Sequence, residues 1–296
     1  MASPVFAHYT QEELDAQYDN QRACPTFRDT LALGTLLGAE AAGLPGERDV
    51  RWGEHPLELL DIYRPVAGDR LPVVVYIHGG AWLTLDKEDS AFAAQAFVDS
   101  GCMLVALGFP DVSDVPFAHM VRSVRNAVAW IHGNIERFGG DPGRIVLIGH
   151  SSGTHLVSQC LTHDWSAAGL PVAPFHGALV ISGLCDLEPA RLSYRNKRLN
   201  LSPDDVLEYS LIHKRPAPIP VAVAVAQNDT DEFRRQSRAM ADYLDSLGLL
   251  VSFEQIAGRH HFDVVLDLCD PANTLHGTVL ELLEPASIVT TDATAR

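Results

Sequence analysis

The chain has 296 residues, of which 47% are hydrophobic, and a formal charge of −16 at pH 7. That apolar share is ample for a large buried core, yet no apolar run approaches the roughly 18 residues that would span a bilayer. The acidic balance excludes nucleic acid and anionic membrane surfaces as expected partners, because both repel it.

The first residues, Met1–Thr10, lack the basic start and apolar stretch of a signal peptide, so the cytoplasm is the expected compartment. Gln11–Tyr18 reads as a short helix, with Thr10 as N-cap and Glu13 three residues on. Leu57–Tyr63 alternates enough for an early strand, which Arg64-Pro65 ends. Pro72–Ile77 has the continuous apolar pattern of a buried strand and runs into His78-Gly79-Gly80-Ala81-Trp82. Ser90–Ser100 is helical in spacing, and Gly101–Leu107 is a second buried strand. Val121–Phe138 is a longer helix, and the glycine-rich stretch Gly139–Gly143 breaks it. The apolar run Arg144–Ile148 then enters Gly149-His150-Ser151-Ser152-Gly153.

Ala178–Ser182 is the next strand. Between Leu184 and Pro220 the chain is polar, rich in arginine and too long for a plain connection, so a cap of short helices is expected over about 184–220. A strand at 221–226, a helix at about 231–247, a strand at 251–256 and a final helix from 263 follow. Strands alternating with helices predict one α/β domain over 49–284, with a mostly parallel sheet and helices on both faces, and 285–296 form a tail. Five cysteines, Cys24, Cys102, Cys160, Cys185 and Cys269, stand singly without a CxxC pair, so free thiols are expected rather than disulfides or a zinc site.

Gly149–Gly153 has the pattern of a nucleophile elbow, in which a serine sits on a sharp strand-to-helix turn and its flanking glycines avoid clashes with the neighbouring strand and helix. Ser151 is the candidate nucleophile. The glycine-rich loop after the strand at 72–77 supplies candidate oxyanion donors, the N–H groups of Gly79 and Gly80, and Ser152 follows the nucleophile where a third belongs. Two later strands end at candidate partners, giving the chain order Ser, Asp, His. Asp229 comes directly after the strand at 221–226, whereas Asp231 and Glu232 suit the start of the next helix. For the base, spacing alone leaves His260 and His261 open. His150 lies inside the elbow and helps shape the site. Trp82 and Phe109, near strand ends, are candidates to pack against an aromatic substrate, with core filling as their ordinary role. Arg191, Arg195 and Arg198 could pair with a substrate carboxylate. Residues 1–48 are expected to pack near the mouth of this site.

Over most of its length beyond residue 50, the chain resembles the kynurenine formamidase (arylformamidase) branch of the α/β-hydrolases. The likeness rests on the HGGAW loop, on Gly149–Gly153 with His155 and Leu156 following, on Ser182–Pro189, on Asn228–Ser237 and on His261-Phe262. The resemblance implies an α/β-hydrolase fold with a small helical cap, Asp229 as the acid, and His261, directly before phenylalanine, as the base. It also implies cleavage of an N-formyl or N-acyl arylamine through an acyl-serine intermediate, with no metal or organic cofactor. Carboxylesterase activity and cleavage of larger aryl amides are the alternatives, and a non-catalytic ligand-binding relative is a remote one. The family usually has alanine where Ser152 stands, and the match is only partial around Arg191–Arg215 and in the first 48 residues. The expected partner is a small aryl amide or ester, and a homodimer is allowed for.

Overall fold

A computed structural model describes residues 3–284. The tail at 285–296 therefore lies outside the described residues.

Among the described residues, eight strands form one sheet: β1 (Val50–Arg51), β2 (Leu59–Tyr63), β3 (Leu71–Ile77), β4 (Met103–Leu107), β5 (Gly140–His150), β6 (Gly177–Ile181), β7 (Val221–Ala226) and β8 (Leu250–Ile256). Their spatial order is β1-β2-β4-β3-β5-β6-β7-β8. β1 and β2 pair antiparallel, as do β2 and β4, and all later neighbours are parallel. Parallel strands covered on both faces have no solvent side, which explains the unbroken apolar runs of β3, β4, β6 and β7. Alternate residues serve two layers. Val73, Val75 and Ile77 join one core cluster, while Val74 and Tyr76 join the other. The edge strand β8 is only half-buried and carries Glu254 and Gln255, a composition that discourages pairing with another chain.

The helices are α1 (Gln11–Gln17), α2 (Asn20–Ala23), α3 (Phe27–Ala41), α4 (Ala94–Asp99), α5 (Phe117–Asn134), α6 (Ser152–Leu161), α7 (Glu188–Leu192), α8 (Asn196–Leu199), α9 (Pro203–Tyr209), α10 (Asp231–Ser246) and α11 (Thr274–Leu283). At α1 the expected capping box is present: Thr10 Oγ1 accepts from Glu13 N, and the Glu13 carboxylate accepts from Thr10 N. α6 leaves directly from the elbow, so the Ser151 turn is clamped between β5 and that helix.

Three expectations need correction. Gly139, with φ of 86°, does end the helical stretch, but the break is that one residue, because β5 already begins at Gly140 and takes in 140–143. The helix expected from 263 is two pieces, a 3-10 segment at Val264–Cys269 and then α11, with Pro271 between them. Ser90–Ser100 is likewise split, into a 3-10 turn at Glu88–Ala93 and α4. The two-residue strand β1 was too short to leave a periodic signal. The stretch at 184–220 contains three short helices, α7 to α9, of which α7 packs against α1, α8 and α9.

Candidate functional site

The sheet register brings the separated motifs together. Ile77 pairs with Gly149 and His150 with Ile181, so Ser151 follows directly beyond the point where β3, β5 and β6 end side by side. Ser151 has φ of 54° and ψ of −122°, a conformation that L-residues avoid and that a sharp elbow imposes. The flanking glycines are required sterically. A Cβ on Gly153 would lie 2.1 Å from the Ile77 carbonyl oxygen, and one on Gly149 would lie 2.6 Å from that of Gly153.

Ser151 Oγ is 2.9 Å from His261 Nε2, and His261 Nδ1 is 2.7 Å from Asp229 Oδ1. Because a carboxylate only accepts, Nδ1–H donates to Asp229, and this leaves the Nε2 lone pair free to accept from the serine hydroxyl. All three side chains are buried. Thus the structure joins His261, not His260, to Ser151. His260 turns away, its Nε2 lying 3.0 Å from Thr26 Oγ1. Asp231 and Glu232 start α10 and pair with Arg234 and Arg235.

One polar partner was not singled out in the sequence. Ser182, at the end of β6, donates its hydroxyl to Asp229 Oδ2 while accepting from Ala226 N at 3.2 Å. Its backbone is left-handed, with φ of 48°, and a Ser-Gly pair directly after an apolar strand was the available signal.

Opposite Ser151 lies the glycine loop. A Cβ on Gly79 would fall 2.9 Å from the His150 carbonyl oxygen and 3.1 Å from Ser151 Cβ, so only glycine lets this backbone approach the elbow. Gly80 has φ of 94°, and Ala81 and Trp82 are also left-handed. Among the described residues, the N–H groups of Gly79, Gly80 and Ser152 have no acceptor. Ser152 contributes more than its backbone: its Oγ accepts from Trp82 N at 3.2 Å, tying the elbow to the loop.

His150 donates from Nε2 to the His261 carbonyl at 2.8 Å and holds the histidine loop in place. Burial, aided by nearby His261, pushes its pKa down to about 3, so the ring is neutral near pH 7.

A cavity of about 250 Å³ opens onto Ser151 and His261. Its apolar wall includes Leu31, Tyr76, Leu83, Phe92 and Phe262, and His150 also borders it. Thr30, Leu31, Gly34 and Thr35 of α3 and Asn20 and Gln21 of α2 belong to the wall. The cap contributes Arg195 alone.

Two expected substrate contacts are not on this wall. Trp82 is buried, and its Nε1–H donates to His155 Nδ1 at 3.2 Å. Phe109 is buried against His78, with the rings stacked at 4.2 Å and 9°. Both therefore fill the core beneath the glycine loop, for at a strand end an aromatic ring packs under the loop as readily as it faces the opening.

A serine elbow, a histidine and an aspartate in this order on an eight-stranded, mostly parallel sheet define an α/β-hydrolase. Comparison with known proteins agrees. The BD-FAE family model matches residues 60–164. The kynurenine formamidase of Danio rerio is 32% identical over 93% of this chain and 97% of its own. That of Salmo salar is 33% identical over 79% and 81%. Esterase B from Lactobacillus rhamnosis has the same fold, with a TM-score of 0.68 at 18% identity over 92% of this chain and 94% of its own. The chain belongs to the kynurenine formamidase family.

Proposed function

We propose that the protein hydrolyses the C–N bond of N-formyl or N-acyl arylamines through an acyl-serine intermediate. Ser151 Oγ attacks the amide carbonyl while His261 Nε2 takes its proton, with Asp229 orienting the ring. The oxyanion is received by the N–H groups of Gly79, Gly80 and Ser152, each such donor being worth about 10²–10³ in rate. His261 returns the proton to the nitrogen as the C–N bond breaks and the arylamine leaves. Water then loses a proton to His261 and adds to the acyl carbon. Collapse releases formate, or the corresponding carboxylate, and restores the serine hydroxyl.

The observation that carries this reading is the Ser151–His261–Asp229 hydrogen-bonded chain opening onto a largely apolar cavity of aryl-group size. The formamidase relatives support the amide bond and the formyl group. The esterase relatives and structural neighbours favour a second reading, ester hydrolysis by the same residues. Relative rates on formanilide, acetanilide and phenyl acetate separate the two. A formanilide rate well above that of acetanilide is expected, and preference for the ester by orders of magnitude would overturn the amidase reading.

The same proposal places the enzyme in the cytoplasm, which its five free thiols support. It also assigns residues 1–48 to the substrate mouth and 184–220 to a cap that supports it.

A further inference from the structure

Asp229 has to present one carboxylate oxygen to His261 Nδ1, and its side chain has two partners among the described residues: His261 at Oδ1 and the Ser182 hydroxyl at Oδ2. No lysine or arginine lies within ion-pair distance of it among those residues, and its side chain is closed to solvent. A carboxylate offers about four acceptor sites, so without Ser182 this one would be held through His261 alone.

Ser182 is anchored to hold that oxygen. Its Oγ accepts from Ala226 N at 3.2 Å, which leaves the hydroxyl proton for the carboxylate, because a backbone N–H only donates and a carboxylate only accepts. The residue is itself fully buried, and its own N–H donates to the Ala224 carbonyl of β7 at 2.8 Å. On the elbow side, the carbonyl of Ile181 accepts from Ser151 N at 3.0 Å and from Thr154 Oγ1 at 3.1 Å. A Cβ on Gly183 would lie 2.0 Å from Thr154 Cγ2, so the chain leaves β6 pressed against α6.

Consecutive residues at the end of β6 thus hold the nucleophile's backbone and the acid's carboxylate. The φ of 48° at Ser182 costs energy for an L-residue and persists only where the surroundings impose it.

We propose that Ser182 is a positioning residue for the reaction. By fixing Asp229 Oδ2 it keeps Oδ1 turned to His261 Nδ1, and through that bond it keeps Nε2 aimed at Ser151. This inference rests on the acyl-serine reading but not on the choice between amide and ester. Misplacement of a reacting group by about 1 Å can cost a hundredfold in rate, and a hydrogen bond to a charged group is worth about tenfold to a hundredfold.

The test is a double-mutant cycle on p-nitrophenyl acetate with wild type, Ser182→Ala, Asp229→Asn and the double variant. Ser182→Ala should lower kcat about tenfold to a hundredfold with KM within about twofold. On the Asp229→Asn background the same change should cost less than about threefold, because Ser182 acts through that carboxylate. Ser182→Gly, which suits the left-handed backbone but lacks the hydroxyl, should repeat the loss, and thermal melts establish which variants fold. Unchanged kcat in folded Ser182→Ala or Ser182→Gly, or an equal loss on both backgrounds, would overturn the positioning role. Undiminished turnover by folded Ser151→Ala would overturn the acyl-serine reading and Ser182's role with it. A wild type that cleaves the ester but no N-formyl arylamine would overturn the arylamine reading alone, and the ester rates would still decide the role of Ser182.

Discussion

On one side of the cavity, Ser151, Asp229 and His261 stand at or just past the ends of β5, β7 and β8, held by a sheet whose register leaves each strand little freedom. On the other, Asn20 and Leu31 come from α2 and α3 near the start of the chain and Arg195 from the turn before α8, outside the sheet. Gln17 ties α1 to the start of α10: its carbonyl accepts from Thr230 Oγ1 and its Oε1 from Glu232 N. The contrast teaches that the reacting groups are placed by long-range burial, whereas the walls that select substrate are placed by local helix chemistry. The reacting side should therefore fail in rate or fold when altered, and the wall in affinity.

The largest effect is expected on the reacting side. Asp229→Asn should lower kcat by about 10⁴, because the amide no longer favours the tautomer with a free Nε2, while the melting temperature stays close to wild type. Steady-state rates on an aryl ester check this, and a loss below tenfold would remove Asp229 from the mechanism.

Gly153→Ala tests the elbow as structure. With the Ile77 carbonyl oxygen 2.1 Å from the new Cβ, β3 and α6 must separate, at a cost on the order of 3 kcal/mol. Urea denaturation measures it; unchanged stability would contradict the tight β3–elbow packing.

Acid should weaken the same region. His78, His150 and His155 are buried, and burial lowers their pKa values from 6.5 to about 4, 3 and 3. Below about pH 6.5 the unfolded chain therefore binds protons that the folded chain does not, so stability falls as pH falls towards those values. Each histidine adds about 1.4 kcal/mol per pH unit in that window. Urea midpoints between pH 7 and pH 5 should drop accordingly, and a flat profile would show that these rings protonate in place.

The smallest effects separate wall from core. Leu31→Ala should raise KM about fivefold with kcat unchanged, since it removes apolar surface facing substrate. Phe109→Leu should cost about 1 kcal/mol of stability and leave KM alone, as the ring packs on His78 away from the cavity. The reverse pattern would return Phe109 to the substrate wall.

The difference between the two sides also governs what the sequence revealed. The buried strands were legible because double-sided burial demands unbroken apolar runs, and the elbow because steric crowding demands its glycines. Ser151 and Asp229 followed from those strands, whereas the separation of His261 from His260 needed the family resemblance: only the loop's tertiary path aims one ring at Ser151 and the other at Thr26. Trp82 and Phe109 were misplaced for a related reason, since sequence puts an aromatic residue near a strand end but does not say which way its ring turns. The wall escaped almost entirely. Asn20 belongs to a helix of four residues, with no periodicity to read, and Arg195 was one of three arginines that spacing did not separate.

The most direct test of the account is kcat/KM on N-formyl-L-kynurenine for the wild type and for Ser151→Ala. The account predicts a wild-type value above about 10⁴ M⁻¹s⁻¹, the range of evolved substrates, and a loss of several orders of magnitude in a variant that still folds. Comparable turnover by folded Ser151→Ala would contradict the acyl-serine mechanism, and a wild type inactive on this compound would contradict its proposed chemistry.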